Sequence, residues 1–183
     1  NPLYVEQMIH LLFDQNIIAR HGENWQMNLS KLDELAVPET LAGLFQARVE
    51  CLPEPEQTVL QLAALFGPQF WDGAVRQVAV ASKDLEADQV AAALEALEQK
   101  DLIVRRHSSA LAGVLEYQFV HDILRDVVYR QMPPARRREN QIELLAWLTN
   151  KVSSFHLPFF QELLGYLRSM MATDQSNREL THD

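Results

Sequence analysis

The chain has 183 residues, 48% of them hydrophobic and 22% charged, a balance that excludes a disordered segment and leaves enough apolar surface for a real core. No apolar run reaches the roughly 20 residues that span a bilayer, nothing at the N-terminus has the pattern of a secretory signal, and the lone Cys51 excludes a disulfide framework and suits a reducing, cytoplasmic setting. The net charge of −9 is unevenly spread: residues 1–104 hold 6 positive and 16 negative side chains, whereas residues 105–138 hold 7 and 3, all seven cations being arginine. Arginine favours planar recognition of phosphate or carboxylate.

In chain order, Asn1 and Pro2 are a good N-cap and first-turn pair, and Val5, Met8, Ile9 and Leu12 predict the inward stripe of a helix running to about Gln15. A chain that starts without methionine, already at a helix start, reads as a fragment of something longer. Residues 17–20 and 25–27 predict a short hairpin with Gly22 in its turn. Pro38 is expected to open a second helix in which Leu41, Leu44, Phe45 and Val49 share a face, closed by Leu52-Pro53. These pieces, residues 1–53, form a first unit, a small helical lid.

Residues 54–132 change pattern. Val59, Leu60, Ala63, Ala64 and Phe66 predict one helix, ended by Gly67-Pro68; Phe70, Trp71, Ala74, Val75 and Val78 begin and line a second; Val90, Leu94 and Leu97 line a third from about Asp88 to Gln99. Strands at Leu102–Arg106 and Glu116–Val120 follow, joined by a small-residue loop. Helix, helix, helix, strand, loop, strand is the order of a winged helix. Residues 133–183 then predict helices at about Ala135–Lys151, with Ile142, Leu145 and Leu148 inward, and at Pro158–Met171, before a polar tail that should fray. The fold class expected is therefore mainly α with a small β component.

One titratable residue sits at a well-defined joint. His121 lies between the strand ending at Val120 and a helix lined by Ile123, Leu124, Val127, Val128 and Tyr129, where regular backbone on both sides would aim its side chain and the helix dipole favours an anion. Either it caps that helix, with Asp122 complementing the dipole, or it faces a ligand. The Arg136-Arg137-Arg138 run is either a solvated helix face or a contact to acidic surface.

The order F-x-H-x-x-x-R-D-x-x-Y, here Phe119, His121, Arg125, Asp126 and Tyr129, resembles the end of the winged-helix module in STAND-class AAA+ ATPases. The relatives it is most similar to couple such an ATPase to an adenylate-cyclase-like or LuxR-type output domain. Asn1-Pro2-Leu3-Tyr4-Val5-Glu6 looks like the family's G-N-P-hydrophobic-hydrophobic-x-E stretch without its glycine. Val37-Pro38-Glu39-Thr40-Leu41 with Leu44, Arg48 and Leu52-Pro53 is similar to its V-P-x-T-L-x-x-L-x-x-x-R-x-x-x-L-P. The resemblance covers about residues 1–145.

What the resemblance implies is half of a nucleotide site. The P-loop domain, absent from this chain, would be a partner in the same polypeptide and would bring ATP or ADP with Mg; Pro2 would pack against the adenine side. His121 would reach the β-phosphate of ADP, as the histidine of the MHD motif does in related switches, although the pattern here is F-V-H-D. A histidine can donate in either tautomer, and a diphosphate favours its charged form. The fragment alone carries no G-x-x-x-x-G-K-[ST] loop, H-E-x-x-H, paired cysteines or G-x-S-x-G elbow, so no catalysis, metal site or cofactor is expected of it by itself. Lone carboxylates such as Glu6, Glu116 and Asp126 read as solvated faces or caps.

Two other functions compete with a regulatory, nucleotide-switched one. A winged-helix transcriptional regulator would need a basic third helix, but Asp88, Gln89, Glu95, Glu98 and Gln99 give that helix an acidic surface, and phosphate contacts dominate DNA affinity. A ligand-free helical scaffold would present the apolar stripe of the last two helices to a protein partner.

Overall fold

A computed structural model describes residues 1–21, 24–152, 164–165 and 168–169. It is mainly helical with two small antiparallel sheets, as the apolar periodicities predict. The turn at Gly22, most of the expected helix at 158–171 and the polar tail lie outside the described residues; Leu164 is helical and buried in the core. No helix among the described residues is long and apolar enough to cross a membrane.

Helix α1 spans Pro2–Asp14, capped by the Asn1 side chain, which accepts from the Leu3 amide at 3.1 Å. It stops at Asn16, whose φ of 53° suits an asparagine in the left-handed region. Strands β1 (Ile18–His21) and β2 (Asn24–Met27) form the expected hairpin, with Ile18 opposite Met27. A short helix α2 (Leu29–Glu34), capped by Asn28, was not foreshadowed by periodicity; six residues are too few to display one. Helix α3 (Leu41–Glu50) is capped by Thr40, which accepts from the Gly43 amide at 3.1 Å, so Pro38 precedes the helix by three residues instead of opening it.

The α1 stripe differs from expectation. Gln7 and Leu11 are buried, whereas Val5 and Ile9 are 57% and 46% exposed. The helix is turned so that positions 7, 11 and 14 face α3, because Gln7 and Asp14 are the hydrogen-bond partners of an arginine buried there. The other apolar side of α1 faces the hairpin, where Phe13 lies 5.5 Å from Trp25, ring centre to ring centre.

Helices α4 (Glu54–Ala64), α5 (Asp72–Ala81) and α6 (Ala87–Gln99) follow. Between α4 and α5, Gln69–Trp71 are not the start of a helix, as expected, but a strand, β3. Strands β4 (Ile103–Arg105) and β5 (Glu116–Phe119) complete a sheet of order β3-β5-β4, with Phe70 opposite Tyr117 and Ile103 opposite Phe119. Phe70, fully buried, stacks on Tyr117 at 5.7 Å and tilts against Phe119 at 5.6 Å. This aromatic ladder is what makes a three-residue strand stable: pairing and burial outweigh a helical reading of the same residues.

Helix α7 (Asp122–Gln131) and the long α8 (Pro134–Val152) close the described chain. One contiguous core runs from Phe45, Val49 and Leu52 of the first segment through α4–α7 to Leu144 and Leu148 of α8, so apolar packing continues across residue 53.

The inward face of α8 is not the expected one. Ile142 is 52% exposed, while Asn140, Gln141, Leu144 and Leu148 are buried. Arg137 sets this rotation: it donates to the carbonyls of Tyr129 and Met132 at 3.0 Å, which brings positions 137, 141, 144 and 148 to the body. Neither side-chain polar atom of the fully buried Gln141 has a hydrogen-bond partner. Leaving a buried amide unpaired costs about 1–3 kcal/mol. Gln141→Leu is therefore expected to raise stability by about 1–2 kcal/mol, read as an increased urea midpoint at unchanged m-value. A lowered midpoint would mean that an ordered water satisfies the amide.

Candidate functional site

The two residues singled out by the sequence sit on different helices that both lean on α3. Pro2 is exposed at the first position of α1. Two residues on, the Tyr4 hydroxyl donates to the Pro38 carbonyl at 2.5 Å, fixing this end of α1 beside the start of α3. His121 occupies the N-cap position of α7 with φ −138° and ψ 134°, and its carbonyl accepts from the Leu124 and Arg125 amides. The capping alternative is thus met by the backbone alone: the side chain makes no capping hydrogen bond. Its half-buried imidazole leans instead on Phe45 of α3, with ring centres 5.6 Å apart and planes at 47°. No hydrogen bond or ring contact joins Pro2 to His121 among the described residues.

Around His121 the polar side chains serve the fold. Arg125 donates to the Ala64 carbonyl at 3.0 Å, tying α7 to the end of α4, and pairs with its neighbour Asp126 at 3.1 Å. The guanidinium groups of Arg125 and Arg137 lie 4.8 and 4.1 Å from the centre of the Tyr129 ring. The arginine run divides by role. Arg136 meets Asp84 at 2.6 Å, Arg137 grips the end of α7, and Arg138 is exposed. An acidic contact therefore exists for one of the three, and a solvated face for another.

Glu116 is not a solvated carboxylate. Only 5% exposed, it accepts from the Trp71 indole N–H at 3.1 Å and the Ala110 amide at 2.8 Å, and meets Arg106 at 3.0 Å. Asp72 plays the matching role on the other side of the sheet, accepting from the Leu115 and Gly73 amides at 2.8 and 2.7 Å. Together they staple both ends of the β4–β5 connection. Beside them, burial foremost and then the Glu98 carboxylate push the Tyr117 hydroxyl above its ordinary range, with Arg105 opposing, so this phenol stays protonated at neutral pH.

The polar cluster that sequence reasoning missed surrounds Arg48. Its side chain is 1% exposed and donates from Nε to Asp14 at 2.8 Å, from Nη1 to Gln7 at 2.6 Å and from Nη2 to the Lys100 carbonyl at 2.9 Å. Lys100 in turn pairs with Glu56 in the first turn of α4. One side chain thereby joins α1, α3 and the end of α6, and a second pair extends the link to α4. The signal was available: a charged residue four positions after Leu44 interrupts the apolar face of α3.

An apolar groove of about 470 Å³ between α1 and the hairpin is lined by Ile9, Phe13, Ile18, Trp25, Gln26 and Met27; neither Pro2 nor His121 lines it. Among the described residues no group of three or more His, Cys, Asp or Glu is placed to hold a metal ion. No protein-family model, curated protein or solved structure matches the chain.

Proposed function

We propose that this chain is the lid and winged-helix part of a nucleotide-switched signalling ATPase, closing over ADP in a resting state and relaying exchange for ATP to an output domain. One observation carries the reading. His121 stands at the head of α7 with its backbone committed to the helix and its imidazole held by Phe45 but without a hydrogen bond to any described residue. An aimed donor with nothing to donate to, beside unpaired helix amides, is chemistry suited to a phosphate oxygen. Strand β3 adds support, since it turns residues 54–120 into the helix, strand, helix, helix, strand, strand order of a winged helix. The P-loop domain, Mg and a cytoplasmic setting belong to the same proposal.

Duplex DNA is the weaker reading. The exposed side of α6 carries Asp88, Gln89, Glu95 and Gln99, which would repel the phosphates a recognition helix must approach.

The test is His121→Ala in the intact polypeptide. A hydrogen bond to a charged group contributes about 1.5–3 kcal/mol, so ADP should leave about tenfold to a hundredfold faster and basal output should rise. The fold tolerates the change, because only the Phe45 ring contact is lost. Unchanged ADP release and output would remove His121 from the site and the nucleotide reading with it.

A further inference from the structure

We propose that α1 and its hairpin form a detachable flap, latched to the body by Arg48, and that this latch opens as a unit while α3–α8 stay folded. The inference rests on packing and does not require a nucleotide. The buried apolar residues of the flap and its footing, Leu11, Ile17 and Leu44, lie outside the contiguous core that runs through α4–α8. The same segment carries exposed Val5, Ile9, Trp25 and Met27, so little of its apolar surface is withdrawn from water by docking. What holds it is polar: Gln7 and Asp14 on Arg48, and Tyr4 on the Pro38 carbonyl. Segments with few buried apolar contacts open at lower free energy than core helices.

The arginine makes the opening specific. When α1 leaves, Arg48 keeps the Lys100 carbonyl on the body side and exchanges Gln7 and Asp14 for water. When α1 stays but one partner is lost, a guanidinium remains buried with its bonding incomplete, a state more costly than exposing one leucine. Damage to the latch is therefore relieved by releasing the flap and not by unfolding the body. Release would swing Pro2 away from α3, while His121 stays fixed on Phe45 by α3–α7 packing.

Amide hydrogen exchange followed by mass spectrometry on the full chain tests this. In the unmodified protein, amides of α1, β1 and β2 should exchange together and before those of α4, α6 and α7. In Arg48→Met, α1 protection should fall on the order of a hundredfold, with α4, α6 and α7 changed by less than about threefold. The double variant Gln7→Ala, Asp14→Ala approaches the latch from the flap side and should do the same if Arg48→Met does not fold. Loss of protection throughout the chain in the double variant would make α1 part of one cooperative unit, and unchanged α1 protection would deny the latch; either result overturns the proposal.

Discussion

Replacing Glu116 with alanine is expected to destabilise the protein by about 2–4 kcal/mol, read by urea unfolding. The carboxylate serves three donors at once, and they respond differently to its loss. The Trp71 indole is 1% exposed and cannot turn to water, so its N–H would be left unpaired in the core. The Ala110 amide is part-buried and loses its anchor. Arg106 is 40% exposed and rehydrates at little expense. The deficit thus comes from the neutral donors more than from the ion pair. Glu116→Gln, which keeps an acceptor without the charge, should recover more than half of it. If glutamine were as damaging as alanine, the Arg106 pair would be the dominant contribution and this ranking would be wrong. The loop between β4 and β5 should also become accessible to proteases in the alanine variant, because Glu116 and Asp72 hold its two ends.

The mainly helical architecture was readable because most helices display apolar residues at helical spacing, and β4 and β5 fall within two residues of their expected bounds. What could not be read were features decided by a distant partner. Strand β3 exists because Phe70 meets Tyr117, far away in sequence; locally, Phe70 to Val78 reads as a helix. The faces of α1 and α8 were misassigned for a related reason. In each helix a buried arginine, Arg48 or Arg137, fixes the rotation and draws Gln7 or Gln141 inward, against the rule that apolar stripes mark the core. Glu116 was misread in the same way, since burial of a carboxylate depends on donors supplied by Trp71 and Ala110. His121 lies between these cases. Its place at the strand-to-helix joint follows from local pattern, but its contact with Phe45 depends on α3 packing against α7, which no local pattern states.

That contact gives the second large effect. Phe45 is fully buried, belongs to the common core and carries the ring against which His121 leans. Phe45→Ala should cost about 3–5 kcal/mol through lost burial and the cavity left between α3 and α7. A cost below about 1 kcal/mol would mean that α3 can collapse onto α7 without it, contrary to the packing described. The alanine variant alone cannot separate holding the fold from holding the imidazole. Phe45→Leu can, because leucine fills most of the volume and should cost only about 1–1.5 kcal/mol. In that folded variant the His121 ring protons should lose the ring-current shift that a neighbouring aromatic face imposes. Within the nucleotide reading, an imidazole no longer held by the ring should release ADP faster than the unmodified protein but more slowly than His121→Ala. Residues in contact couple, so combining Phe45→Leu with His121→Ala should give less than the sum of the two effects on ADP release. Additive effects would place Phe45 in the core only, with no part in aiming His121.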